Sequence, residues 1–294
     1  MHTPDAEPIA YINGQFIALK DARVSVLDRG FIFGDGIYEV IPVYARQPFR
    51  LSHHLQRLEN NLREIQIKNP LSSSQWQALI EQLIEKNNYH NQSVYLQITR
   101  GVAARDHRFP KQNKPTVFLM TSALEKQAPE IAQQGVAAIT LPDNRWLNCH
   151  IKSISLLPNV LLRQQALDNN AQEAILIKGG HATEGAASNI FIVQDNCLIT
   201  PPKSPLLLPG VTRDLVVELA QANDICCQEQ AITEAELFNA KEVWLSSSTK
   251  KILPVTKLND KIVGNGLPGS YWQQMITIYQ GYIATLNTNT ENKQ

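Results

Sequence analysis

Short β-rich runs and amphipathic helical stretches alternate along this chain, and the alternation breaks once, at residues 123–134, where Ala, Glu, Gln and Pro carry no apolar stripe. In a chain of 294 residues such a break predicts two domains joined by a linker. On its N-terminal side Tyr11-Ile12-Asn13-Gly14-Gln15-Phe16 places Asn-Gly between apolar stretches. That predicts a β-hairpin, because both central residues of a type I′ turn need positive φ. Ser52, as N-cap, precedes Leu55, Leu58, Leu62 and Ile65 at helical spacing, and Ser74 similarly precedes Trp76, Leu79, Ile80 and Leu83. Strands are predicted at 94–99 and 116–120, with a polar loop rich in Arg, His and Lys between them. Beyond the break, strands are predicted at 135–141, 173–177, 190–193 and 242–245, and helices at 158–167, 212–222 and 269–284. The expected fold is α+β: a small N-terminal α/β domain over residues 1–122, a larger C-terminal mixed α/β domain over 135–286, and a frayed polar tail over 287–294.

Composition narrows the partners. Lys plus Arg and Asp plus Glu both number 27, for a net charge of zero, so no field is available to hold nucleic acid or an anionic membrane surface. Neutrality still permits a few local cations that grip a small anionic ligand. Cys149, Cys197, Cys226 and Cys227 show no C-x-x-C spacing, and reduced, partly buried thiols are expected. No residue set is assigned to a metal. Residues 1–9 lack a basic patch followed by an apolar core, and no apolar run approaches the roughly 20 residues that span a bilayer. A cytoplasmic protein without a signal peptide is the expectation.

Several segments use residues in ways a fold alone does not require. Phe33-Gly34-Asp35-Gly36 is either a plain turn or a close backbone approach to a ligand. Leu208-Pro209-Gly210-Val211-Thr212-Arg213 opens an amphipathic helix, either a plain capped helix with Asp214 in its first turn or one whose free N–H groups face an anion. Ser246-Ser247-Ser248-Thr249 ends a strand in four hydroxyls. His54 and Arg57 fall on one helical face, where a surface ion pair of Arg57 is the plainer reading. Lys152 lies among apolar neighbours, where a lysine either snorkels to solvent, as most do, or gives up solvation and becomes a usable nucleophile or proton carrier. Glu184 is the one acid in the small-residue stretch Thr183-Glu184-Gly185-Ala186-Ala187-Ser188-Asn189, in a turn or aimed into a pocket.

Taken together and in order, these segments resemble the fold-type IV pyridoxal-phosphate enzymes, which include branched-chain transaminases, D-amino-acid transaminases and aminodeoxychorismate lyase. The motifs are Phe33-Gly34-Asp35-Gly36, His54-x-x-Arg57, Ile151-Lys152-Ser153 with Leu157-Pro158-Asn159, Thr183-Glu184-Gly185 with Ser188-Asn189, and Leu208 to Arg213. The resemblance implies pyridoxal 5′-phosphate in a cleft between the domains. Lys152 would form the internal aldimine and shuttle the proton; Glu184 would face the pyridine nitrogen. Arg57, the N–H groups of Val211 and Thr212, and Ser247 and Ser248 would hold the phosphate. The loop from Thr99 to Pro110 resembles the D-amino-acid transaminase version, in which Arg105, His107 and Tyr38 would bind the substrate carboxylate. That loop reaches a neighbouring subunit's site in the family, which implies a homodimer. The implied reaction moves an amino group between a D-amino acid such as D-alanine and a 2-oxo acid such as 2-oxoglutarate or pyruvate. An L-specific branched-chain aminotransferase and aminodeoxychorismate lyase are the alternatives, but Tyr95-Leu96-Gln97 lacks the arginine of the branched-chain Tyr-x-Arg pattern. Lys152 together with Glu184 argues against a non-catalytic cofactor carrier, since storage needs no electron-sink acid. Asn148, His150, Ala186 and Ala187 depart from residues frequent in relatives.

Overall fold

The computed structural model describes residues 7–112 and 114–291, with side chains described as far as residue 285. Most of the N-terminal stretch expected to lack a leader therefore lies outside the described residues. The chain forms two compact units, one running to Glu125 and taking in Ile151–Ser155, the other comprising Lys126–His150 and Leu156–Thr288.

The first unit holds β1 (Ile9–Ile12), β2 (Gln15–Ala18), β3 (Gly36–Tyr44), β4 (Gln47–Pro48), β5 (Gln92–Thr99) and β6 (Thr116–Ala123), in the sheet order β2-β1-β6-β5-β3-β4. Asn13 and Gly14 turn between β1 and β2 at φ 50° and 101°, as the hairpin requires. Its helices are α1 (Arg29–Phe33), α2 (Leu51–Glu64) and α3 (Ser73–Lys86). Leu55, Leu58 and Leu62 of α2 and Trp76, Ile80 and Leu83 of α3 pack with Ile37, Ile41, Val94, Leu96 and Ile98 of the sheet in one core. Both expected caps shift. Arg50, in the left-handed region at φ 51°, precedes α2, so Ser52 lies inside the first turn. Ser72 caps α3 because only it forms a reciprocal capping box with Gln75.

In the second unit the strands are β7 (Val136–Pro142), β8 (Glu173–Lys178), β9 (His181–Gly185), β10 (Asn189–Gln194), β11 (Cys197–Thr200), β12 (Cys227–Glu229), β13 (Ile232–Thr233), β14 (Glu242–Ser247), β15 (Lys251–Leu258) and β16 (Lys261–Ile262). They form a sheet in the order β12-β11-β10-β14-β15-β7-β8-β9-β13, with β16 on β15. Its helices are α4 (Pro129–Gln134), α5 (Leu157–Asp168), α6 (Val211–Ala222), α7 (Glu234–Asn239) and α8 (Ser270–Glu291). The parallel pairs β7–β8 and β11–β12 are joined through α5 and α6, as parallel neighbours require a crossover.

Four expectations differ from the structure. The linker expected at 123–134 contains the boundary between the units but begins on the last residue of β6 and ends in the short helix α4, which Pro129 starts. Residues 151–155, assigned to the C-terminal domain, cluster with the first unit because Ser153 bridges Ile37 of β3. The tail expected to fray from 287 is helical to Glu291, since no proline or glycine follows Gly281; residues 292–294 lie outside the described residues. Cys197 and Cys226 are disulfide-bonded rather than reduced. Parallel pairing of β11 with β12 brings their α-carbons to 4.7 Å across 29 residues of sequence, a proximity that residue spacing does not reveal. Cys149 and Cys227 are free. No helix among the described residues is long and apolar enough to cross a membrane.

Candidate active site

Lys152 sits on the short segment Ile151–Ser155 laid against β3. Tyr38 N–H donates to the Lys152 carbonyl at 3.0 Å, Ile154 N–H donates to the Gly36 carbonyl at 3.1 Å, and Lys152 N–H donates to Asn61 Oδ1 of α2 at 2.7 Å. Both backbone polar groups of the lysine are therefore fixed, and its Nζ lies 4.1 Å from the centroid of the Tyr38 ring. The glycines of Phe33-Gly34-Asp35-Gly36 serve this mounting. A β-carbon on Gly34, at φ 66°, would stand 2.4 Å from Ser155 Oγ, and one on Gly36 would stand 2.5 Å from the Ile98 carbonyl. They permit close approach of protein to protein.

Arg57, on the buried face of α2, donates from Nε and Nη2 to the two carboxylate oxygens of Glu39 at 2.7 and 2.8 Å. His54 Nδ1 lies 2.8 Å from Glu39 Oε2. Burial alone would raise the Glu39 carboxyl, but the charge of Arg57 and the hydrogen bonds from Arg57 and His54 hold it well below the usual carboxylate range. Burial pushes His54 below its ordinary value, and the charges of Arg57 and Lys152 add to that against the pull of Glu39. The imidazole is neutral, and Nδ1–H is the donor to Glu39. Glu39 is a residue that motif reading missed. Its signal was a lone acid on an otherwise apolar, buried strand.

In the second unit Glu184 lies on β9, not in a turn, and is buried. Arg145 Nη1 donates to its Oε1 at 2.5 Å, while Asn189 Nδ2 and the Leu208 N–H donate to its Oε2 at 3.2 and 3.0 Å. Arg145 turns its remaining donors on Asp143, at 2.9 Å from both Nε and Nη2, and Thr183 Oγ1 donates to Asp143 at 3.0 Å. Burial pushes the Glu184 carboxyl up to about 7, with Arg145 opposing the rise and Asp143 adding to it. The carboxyl is thus poised between acid and carboxylate near neutrality. Arg145 and Asp143 were not singled out from the sequence.

Val211 and Thr212 open α6 and are buried; Gly210, the residue before them, contributes no side-chain cap. A β-carbon on Gly210 would stand 2.0 Å from Asn189 Oδ1, so only glycine fits there. Asn189 pairs across the sheet with Ser246, whose buried Oγ has no partner among the described residues. Ser247 closes β14 and accepts the Lys250 N–H at 3.3 Å, with Ser248 in the turn that follows.

Of the three expected substrate residues, Tyr38 stacks on Tyr95 at 5.7 Å between centroids, and Tyr95 Oη donates to Gln97 Oε1 at 2.6 Å. Arg105 and His107 lie on an exposed loop and meet at Phe33, at 5.5 Å and 5.3 Å from its ring centroid. The structure thus groups Tyr38 with Lys152, and Arg105 with His107.

Two mixed α/β units, a doubly anchored lysine and a buried carboxylate beside an uncapped helix start match a known class. The chain belongs to the amino-transferase class IV family, whose model matches residues 36–258. It is 38% identical over 278 residues to the D-alanine aminotransferase of Bacillus licheniformis, covering 95% of this chain and 98% of that protein. It is 37% identical to the D-alanine aminotransferase of Staphylococcus epidermidis, covering 93% and 97%. Among solved structures it resembles the branched-chain amino acid aminotransferase of Escherichia coli, with a TM-score of 0.88, 26% identity and 94% of each chain covered. Another branched-chain amino acid aminotransferase, solved with pyridoxamine 5′-phosphate, shares the fold, with a TM-score of 0.88, 23% identity and 95% of each chain covered.

Proposed function

We propose that this protein is a pyridoxal-phosphate-dependent D-amino-acid aminotransferase that moves the amino group of a D-amino acid such as D-alanine to a 2-oxo acid such as 2-oxoglutarate. The observation that carries the reading is the backbone-anchored Lys152 in a chain resembling D-alanine aminotransferases over nearly its whole length.

The residues present fit the cofactor. The helix start at Gly210 is uncapped and would be filled by any β-carbon, the adjacent Ser246 hydroxyl is unpartnered, and Glu184 is a buried carboxyl with near-neutral proton affinity. When bound, pyridoxal phosphate supplies an aldehyde for the amine and a ring that takes up the electron pair left on the substrate α-carbon. Lys152 holds the cofactor. In the first half-reaction its Nζ takes the proton from the α-carbon of the donor; in the second it delivers a proton to the α-carbon of the new amino acid. Glu184 holds a proton at the pyridine nitrogen. The N–H groups of Val211 and Thr212, the hydroxyls of Ser247 and Ser248, and Arg57 oriented by Glu39 bind the phosphate. Arg105, His107 and Tyr38 bind the substrate carboxylate.

A homodimer is part of the proposal, with Arg105 and His107 serving the neighbouring subunit. Exposed apolar side chains crowd α1 and this loop: Val26, Leu27, Phe31, Val102 and Phe109, with Phe31 74% exposed, a cluster that marks an interaction surface. Light scattering should give twice the chain mass. The cytoplasm is the proposed compartment, to be checked by cell fractionation.

The structural likeness to branched-chain aminotransferases favours an L-specific second reading, against which stands Gln97, bonded to Tyr95 where that group carries arginine. A panel of D- and L-amino acids with 2-oxoglutarate or pyruvate, analysed for product chirality, decides. Turnover of D-alanine supports the proposal; turnover of L-valine or L-leucine with no D-amino acid accepted overturns it.

A further inference from the structure

Arg105 and His107 are exposed loop residues, and a carboxylate trap on a loop works only if something fixes the loop's pose. The structure holds such a device in α1. Arg29, 4% exposed, donates from Nη1 to the carbonyls of Asp106, at 2.5 Å, and Arg108, at 3.4 Å. It thereby grasps the backbone on both sides of His107. One turn further along α1, the Phe33 ring lies 4.8 Å from the Arg29 guanidinium, 5.5 Å from that of Arg105 and 5.3 Å from the His107 ring. Residues four apart share a helix face, so one face of α1 holds the loop by its main chain and by both trap side chains.

The grip is itself anchored. Arg29 Nε donates to Asp35 Oδ2 at 2.7 Å, and the same oxygen accepts from Arg100 Nε at 2.8 Å. Arg100 donates further to the Gln66 and Ile65 carbonyls, at 3.1 and 2.6 Å, where α2 ends, and its guanidinium stands 3.7 Å from the Phe109 ring centroid. The Arg29 N–H also donates to the Gly101 carbonyl at 2.9 Å, and Asp28 bridges Val102. Both ends of the loop are therefore tied to α1. A surface connection of this length needs no buried arginine to cross it, and two buried guanidiniums sharing one carboxylate exceed what closing the loop requires.

We propose that Arg29 and Phe33, held through Asp35, are positioning residues that present Arg105 and His107 to the substrate carboxylate and so set affinity for both amino acid and 2-oxo acid. The inference rests on the carboxylate-trap reading of Arg105 and His107. In that role they contribute to binding in the ground and transition states alike, so their misplacement raises KM and leaves kcat nearly unchanged.

The test is steady-state kinetics of the holoenzyme with D-alanine and 2-oxoglutarate for Arg29→Gln, Phe33→Leu, Phe33→Tyr and Arg105→Ala. Cofactor affinity and molecular mass are measured in parallel. Arg29→Gln and Phe33→Leu should raise both KM values roughly 10- to 100-fold, with kcat within about threefold, and cofactor affinity and mass unchanged. Phe33→Tyr keeps the ring and should restore KM. In the double variant Phe33→Leu with Arg105→Ala, the two KM effects should fall short of multiplying, since both act on one contact. If Arg105→Ala raises KM while Arg29→Gln and Phe33→Leu leave it unchanged, the positioning role is overturned. If Arg105→Ala itself leaves KM unchanged, the carboxylate-trap reading fails. Should Arg29→Gln not fold, Phe33→Leu against Phe33→Tyr decides, because neither disturbs the Asp35 ion pairs.

Discussion

Arg145 is the side chain whose removal most sharply tests the electrostatics around Glu184. In the parent protein it lies between two buried carboxylates, bonded to Asp143 through two nitrogens and to Glu184 through a third. Arg145→Met keeps the length and apolar stem and deletes the charge. At pH 8 both acids are ionised in the parent, whereas the variant strips Asp143 of its cation and must hold Glu184 either charged without a partner or protonated against the solution pH, a change that costs about 3–5 kcal/mol. At pH 5 Glu184 already carries a proton, since its folded-state pKa is about 7, and its share of the penalty disappears. The direction follows from linkage: a carboxyl whose pKa is raised on folding favours the folded state below its unfolded value near 4.5, and that contribution is lost as pH rises through 7. In the variant Glu184 moves still higher, so the loss continues above pH 7. Urea denaturation of the cofactor-free protein from pH 5 to 8.5 should show a deficit that grows with pH, about twice as large at 8 as at 5. A deficit below about 1 kcal/mol and constant with pH would refute the coupling.

Glu39 titrates in the opposite sense: its carboxyl is depressed by Arg57 against its burial, so its contribution is present above the unfolded value of 4.5 and lost only as pH falls further. Glu39→Gln should destabilise at pH 7 by about 3 kcal/mol or more, with a smaller effect below pH 3, as read by the same denaturation. The Cys197–Cys226 bond closes a loop of 29 residues that contains α6 and the helix start at Gly210. Reduction with dithiothreitol should lower stability by about 3 kcal/mol and loosen cofactor retention, and an unchanged melting temperature with both thiols alkylated would count against this. Asn61→Leu removes the acceptor for the Lys152 N–H and should lower kcat about tenfold with substrate KM little changed; a pure KM effect would contradict the anchoring role.

Much of the fold could be read from local pattern. Asn13-Gly14 fixes its own hairpin, and the apolar spacing in α2, α3 and α6 follows from one face packing on a sheet. What escaped was whatever depended on partners distant in sequence. The caps escaped for a local reason: Ser74 is as good a cap by residue type as Ser72, and only the reciprocal bond with Gln75 separates them, while α2 starts directly after the left-handed Arg50 and leaves Ser52 inside it. Glu39 and Arg57 are 18 residues apart, and Arg145 and Glu184 are 39 apart; neither spacing belongs to a helix or hairpin. Arg29 went unremarked for the same reason, since the carbonyls it holds lie 77 and 79 residues away. The cysteine pairing required the parallel register of β11 and β12, which periodicity does not encode. Asp35 was legible only as the acid between two glycines of a turn or a close backbone approach, and its role, binding two arginines, was not.

At the centre of this account is one amine, Lys152, held at both its backbone polar groups and free to change partners at Nζ. Borohydride reduction of the holoenzyme followed by peptide mapping tests that claim directly. The cofactor's mass should appear on the peptide containing Lys152, and in Lys152→Ala it should disappear from that peptide together with transaminase turnover. A label on any other lysine, or undiminished turnover by Lys152→Ala, would contradict it.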